Sequence, residues 1–327
     1  MLDFEPQTWE YLGRYLGAGI ALGLGGVGAA IGMGNAAAQA GEAMMRQPRV
    51  QGEMLRTMLI GQAVGGSPSI FALVVGLFIL FIPAAQPELV GGNFFAALTA
   101  AGISIGFGAF GSGLGCGWPA GHACDAVARN PRRISQSTQS MIIGQAVAQS
   151  PSIFALVVSL ILVMRQQPGT DLPTMGVSLG AGIAMGVSAI GSGVGSGRTA
   201  GGAVKGIGEW PKSYGVTLRT MLIGQAVCET PAIFGMLVAF IMLFAMKDLE
   251  NNLIGFAKAI GAGIAVGFGG IGPGIGSGLV GDTACAATSA RPRLDALMLR
   301  TALIGQAVSQ STAIYALIIA LLLLYVI

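Results

Sequence analysis

Charged residues divide this chain into long apolar runs. None falls within 15–41, 58–82, 89–123, 141–164, 172–197, 259–281 or 302–327, and the run 221–246 is interrupted only by Glu229. A helix needs about 20 apolar residues to cross the ~30 Å hydrocarbon core of a bilayer. The pattern therefore predicts an all-α membrane protein with eight transmembrane helices. The opening segment MLDFEPQTWEYLGRYL carries acidic residues and lacks a basic start before a short apolar core, so a cleavable signal peptide is not expected.

The runs pair into a repeat. Gly-Gln-Ala-Val begins at Gly61, Gly144, Gly224 and Gly305, at intervals of 83, 80 and 81 residues, and opens the membrane part of each even-numbered helix. A proline stands in each preceding turn: Pro48, Pro131, Pro211 and Pro292. The repeating unit is a helical hairpin of about 80 residues, giving hairpins at 1–86, 87–168, 169–249 and 250–327.

The first helix of each hairpin is rich in glycine, as in GISIGFGAFGSGLGCG, GIAMGVSAIGSGVGSG and GIAVGFGGIGPGIGSG. Glycine costs about 1 kcal/mol in a soluble helix, so its abundance needs a cause. Phosphate cradling is one reading, because G-x-G-x-x-G occurs here. That motif needs a preceding strand, and these glycines continue for several turns inside an apolar span. Close packing of helix backbones is the stronger reading. The even helices end in bulky runs such as LVVGLFILF and LIIALLLLY, suited to lipid. The expected architecture is an inner glycine layer and an outer aliphatic layer, four hairpins forming an arc that several copies could close into a ring.

Composition supports a membrane setting. Of 327 residues 53% are apolar and only 9% charged, against about 25% charged in soluble domains. Disorder, an ordinary soluble enzyme and collagen are excluded, and a scattered net charge of +3 gives no footprint for nucleic acid. Cys116, His122 and Cys124 lack a fourth ligand for a metal, and no cofactor is expected. The basic residues are one-sided. Arg46, Arg49, Arg56, Arg129, Arg132, Arg133, Arg198, Lys205, Lys212, Arg219, Arg291, Arg293 and Arg300 flank the turns within hairpins, and only Arg14, Arg165, Lys247 and Lys258 lie at the other end. Excess Lys and Arg marks cytoplasmic loops, which puts the hairpin turns in the cytoplasm and both termini on the opposite side.

Glu229 lies ten residues after Arg219 and eighteen before Lys247, about 15 Å and about 27 Å along a helix. A carboxylate at that depth costs at least ~2.5–3.5 kcal/mol, and its default reading is an ion or proton site; a protonated, hydrogen-bonded packing group is the bland alternative. The same register in the other hairpins holds Gly66, Gln149 and Gln310, which cannot titrate. These look like silent copies. Pro231 has no N–H, so the Val227 carbonyl loses its helical partner, and Pro68 and Pro151 do the same for Val64 and Val147. Thr230 adds a hydroxyl, and Gln225 shares the Glu229 face one turn earlier.

The ~80-residue hairpin, GIGPGIGSG, the turns RQP (46–48) and RNP (129–131), and the GQAV-x-E/Q-S/T second helix together resemble the rotor-ring c subunit, or proteolipid, of F-type and V-type ATP synthases, in four fused copies. The resemblance implies a non-catalytic membrane ring subunit. Its partners would be further copies of itself, a stator a subunit, central-stalk subunits at the cytoplasmic loops and membrane lipid, in a bacterial inner membrane. It implies that Glu229 carries H⁺ or Na⁺. Val227 and Thr230 match ligand positions of sodium-type sites, and an adjacent hairpin would add Val308 and Ser311 or Val147 and Ser150. The first-helix register that usually holds a glutamine has Met33, Cys116, Ser196 and Ser277, and the usual tyrosine is Phe71, Phe154 and Phe234, with only Tyr315 retained. Fewer oxygens beside Glu229 favour H⁺ over Na⁺. One carboxylate per four hairpins also implies few ions per turn. One charge crossing 100 mV yields ~2.3 kcal/mol, which suits ATP-driven pumping better than synthesis. The rival reading is a structural or pore-forming proteolipid with an inert Glu229. A solute transporter would have inverted repeats, whereas these all start on the same side.

Overall fold

A computed structural model describes residues 6–83, 91–165, 167–246 and 252–326. The boundaries expected at 86/87 and 249/250, and Lys247, lie outside the described residues. Eight helices among the described residues are long and apolar enough to cross a membrane: α1 (Gln7–Arg46), α2 (Pro48–Phe81), α3 (Gly92–Arg129), α4 (Pro131–Met164), α5 (Leu172–Glu209), α6 (Pro211–Ala245), α7 (Leu253–Ala290) and α8 (Pro292–Tyr325). They pair as four antiparallel hairpins in a multi-pass integral membrane protein.

Each hairpin turns at a residue that proline forces out of the helix. Gln47, Asn130, Trp210 and Arg291 have φ between −140° and −130° and ψ of 72–75°, because the ring of the next residue disfavours the helical region for its predecessor. Proline then opens the even helix, where a missing N–H costs nothing. A second proline bends three of these helices midway. Regular α2, α4 and α6 break at Gly66, Gln149 and Glu229, two residues before Pro68, Pro151 and Pro231. The fourth hairpin has Thr312 at that register, and α8 runs unbroken from Asp295 to Tyr325.

The first helices pack side by side in chain order, α1 on α3, α3 on α5 and α5 on α7, with the second helices laid against them. Glycine sets the spacing. A methyl on Gly32 would run into the Gly113 carbonyl, one on Gly115 into Gly193, and one on Gly195 into Gly274. Small residues let backbones meet in this way within a membrane. The bulky ends of the second helices face outward, with Phe78, Phe81, Met164, Phe244 and Ile318 exposed.

Both ends of the hairpins are tied together. At the basic end Asp125 joins Arg46 at 2.9 Å and Arg129 at 2.7 Å, and Arg219 pairs with Asp295 across hairpins three and four. At the other end Arg14, almost fully buried, donates to the carbonyls of Ile79, Leu80 and Ile82 at 3.2, 2.7 and 2.6 Å. It thereby caps the last turn of α2, whose carbonyls have no helical partner. The connection after α4 folds back on α3: the Asn93 amide donates to Pro168 O at 2.8 Å and to Asp171 Oδ1 at 2.6 Å. Gly169, at φ +90°, makes the turn this requires. Asp171 in turn caps α5, accepting from the Thr174 N–H at 3.2 Å.

Candidate functional site

The site is built on two rows of polar side chains that cross from hairpin to hairpin. The GQAV glutamines form the first. Gln145 Nε2 donates to Gly61 O of the preceding hairpin at 2.9 Å and to Cys116 O of its own first helix at 3.0 Å. Gln225 does the same to Gly144 O at 2.8 Å and Ser196 O at 3.2 Å, and Gln306 to Gly224 O at 3.1 Å and Ser277 O at 3.0 Å. All three glutamines are buried. Gln225, one turn before Glu229 in sequence, is a staple between hairpins two and three, with its Nε2 also 3.0 Å from Ser196 Oγ. The signal for the equivalent roles of Gln145 and Gln306 is the fourfold GQAV itself, whose cross-hairpin meaning shows only in the fold.

The second row lies four residues on. Gln149 Nε2 donates to Val64 O at 2.8 Å, with Cys116 Sγ at 3.7 Å. Gln310 Nε2 donates to Val227 O at 3.0 Å and to Ser277 Oγ at 2.9 Å. In both cases the acceptor is a valine carbonyl released by the proline four residues later, on the preceding hairpin. Gly66, in hairpin one, brings no side chain to its position, and the sulfur of Met33 lies against it.

Glu229 occupies this register in hairpin three. The Ser150 hydroxyl of hairpin two lies beside its carboxyl and donates to the Val147 carbonyl at 2.8 Å. Glu229 Oε1 is buried and has no hydrogen-bond partner. By the register of Gln149 and Gln310, the carbonyl that faces Glu229 is that of Val147, freed by Pro151. The structure places Ser150 at Glu229, while Val147 and, on α5, Ser196 stand at the registers that match the partners of Gln149 and Gln310. It does not bring Val227 to them, because that carbonyl is taken by Gln310. Val308 is 69% exposed, and Ser311 donates back to Val308 O at 2.8 Å on the open face of hairpin four. Thr230 starts the second half of α6, half-buried next to Glu229.

A glutamine here donates its N–H to the valine carbonyl, whereas an ionised glutamate presents only acceptors. Two oxygens of like partial charge then face each other unless a proton or a cation lies between them. Cys116 and Cys124 are buried, their thiols turned to the carbonyls of Gln145 and Met54.

Comparison with known proteins bears on this geometry. The family model for the ATP synthase C subunit matches four times, at 16–79, 99–162, 179–242 and 260–323. The chain is 46% identical over 72 residues to the ATP synthase c subunit of Petrotoga mobilis, covering 22% of this chain and 75% of that protein. It is 45% identical over 89 residues to the ATP synthase c subunit of Desulfosudis oleivorans, covering 27% and 91%. With the K subunit of the A-type ATP synthase of Methanocaldococcus jannaschii it shares 28% identity over 227 residues, covering 69% and 94%. Each hairpin thus matches the family model separately, and together the four matches take in most of the sequence: the chain belongs to the ATP synthase C-subunit family.

Proposed function

We propose that this chain is the membrane rotor subunit of a rotary ATP synthase or ATPase, a non-catalytic part that carries H⁺ or Na⁺ on Glu229, one ion per chain. The four hairpins, 1–86, 87–168, 169–249 and 250–327, form an arc of a two-layer ring closed by further copies. A stator a subunit loads and unloads the carboxyl as it passes, and central-stalk subunits sit on the hairpin turns. The basic turns face the cytoplasm of a bacterial inner membrane.

One observation carries this reading. Glu229 stands where Gln149 and Gln310 bridge to the preceding hairpin, with Ser150 beside it and a buried carboxyl oxygen left without a partner. The ion site is then the seam between hairpins two and three, with Glu229, the Val147 carbonyl, Ser150 and Ser196 as its groups. Gly66, Gln149 and Gln310 are its silent equivalents. The sparse oxygen set favours H⁺, because a proton needs one acceptor and a sodium ion several.

The test is ATP-driven ion uptake by the purified complex in sealed vesicles, read with a pH dye and with sodium flux. Glu229→Gln should abolish uptake while the complex still assembles. Uptake persisting in that variant would overturn the proposal. Uptake that needs Na⁺ and leaves internal pH unchanged would reassign the ion.

A further inference from the structure

The outer edges of the first and fourth hairpins are uncovered, yet every internal joint covers their counterparts. On α3, Gly102, Gly106 and Gly117 lie against the carbonyls of Gly17, Ile20 and Gly32. On α5, Gly182, Gly186 and Gly197 meet Ala100, Ile103 and Gly115, and on α7, Gly263, Gly267 and Gly278 meet Gly180, Ile183 and Gly195. The same register on α1 holds Gly19, Gly23 and Gly34, and a methyl added at any of them would meet nothing within 4 Å. On α7 the matching carbonyls belong to Gly261, Ile264 and Gly276; Ile264 is 46% exposed.

The glutamine row has the same two loose ends. Gln62 donates to Met33 O of its own hairpin at 3.0 Å, which is the contact Gln145, Gln225 and Gln306 also make. The second acceptor those three have, a GQAV glycine carbonyl of the preceding hairpin, has as its counterpart the carbonyl of Gly305 on α8.

We infer that a second copy of this chain docks its α1 edge on the α7–α8 edge of the first in the register of the internal joints, with Gln62 donating to the Gly305 carbonyl, and that this seam carries no ion-binding side chain. The inference rests on the ring reading and adds to it which faces meet and what the seam lacks. It lacks a carboxyl or amide, because Gly66 stands at that register. It also lacks a released carbonyl, because Thr312 replaces proline and α8 is continuous past Val308. Each internal joint has a side chain at this register in addition to the GQAV staple; the seam has the staple alone. The ring therefore comes apart at its seams, into whole chains.

The experiment is native mass spectrometry of the detergent-purified protein, with three variants. Wild type should give one closed oligomer of a whole number of chains. Gly34→Leu should give single chains with unchanged helix content, because the position is open in the chain itself. Gly215→Leu should assemble like wild type, because Gly215 is open even with a hairpin on each side. The double variant Gln51→Cys/Arg300→Cys, at the exposed registers of the Asp295–Arg219 pair that joins hairpins three and four, should be joined between chains by a bis-maleimide, giving a ladder of chain multiples. A wild-type oligomer with an unaffected Gly34→Leu and no ladder would overturn the seam and leave the ring reading standing. Single chains for wild type would remove the ring reading itself. A ladder whose steps include a smaller polypeptide would show that another subunit occupies this edge, which also overturns the inference.

Discussion

At the scale of the residue, the chemistry turns on one atom pair. Gln149 and Gln310 put an N–H against a valine carbonyl, and Glu229 at the same register would put an oxygen there unless it is protonated or holds a cation. Glu229→Gln should therefore fold normally, form a bond to Val147 like its two counterparts, and resist denaturation at least as well as wild type, while ion transport is lost; thermal unfolding in detergent alongside uptake checks both halves. Ser150→Ala should keep the carboxyl but remove the hydroxyl oxygen beside it, weakening ion retention several-fold, since one such hydrogen bond in a membrane is worth about 0.6–2 kcal/mol. Outside the membrane, Asp171 offers a pH test. Burial alone would raise its carboxyl, but hydrogen bonds from Thr174 and Asn93 outweigh that and hold it below the ordinary value. The stabilisation is present above the unfolded carboxylate range and is lost as pH falls through the lowered folded value. Hydrogen exchange at the start of α5 should accelerate in acid for wild type, and Asp171→Asn should remove that dependence.

At the scale of the element, glycine and proline do most of the shaping. Gly115 and Gly195 each face a neighbouring backbone with no room for a methyl, so valine at either should cost at least the ~1–3 kcal/mol of an overpacked core and lower the melting temperature. Much of this is legible in the sequence. The uncharged runs mark the eight spans, the recurring GQAV marks the four hairpins, and Pro68, Pro151 and Pro231 mark the released carbonyls. What spacing along one chain cannot reveal is which neighbour each hairpin faces. Val147 and Val308 stand at equivalent registers on the hairpins either side of Glu229, and only the direction of the Gln149–Val64 and Gln310–Val227 bonds points to Val147 as its counterpart. For the same reason Val227, close to Glu229 in sequence, belongs to Gln310 instead. Arg14 reads as a boundary charge because nothing local shows that the end of α2, some 65 residues later, lies within its reach.

At the scale of the whole molecule, four hairpins share one carboxyl in the middle of a span, Glu229. A rotor of roughly twelve hairpins, closed from identical copies, would carry about three ions per turn, and each would be worth ~2.3 kcal/mol per 100 mV. Such a machine favours ATP-driven pumping up a steep gradient over synthesis. Purified, reconstituted complex should build a larger ion gradient on ATP than it can use to make ATP, which paired measurements of pumping and synthesis would show. Whether Glu229 is the titrating carboxyl is decided by carbodiimide labelling of the assembled protein, read by intact mass across pH with and without Na⁺. One adduct per chain is expected, mapped to Glu229, absent in Glu229→Gln and suppressed by raising pH. No adduct at any pH, or an adduct at another carboxyl that survives Glu229→Gln, would contradict that assignment.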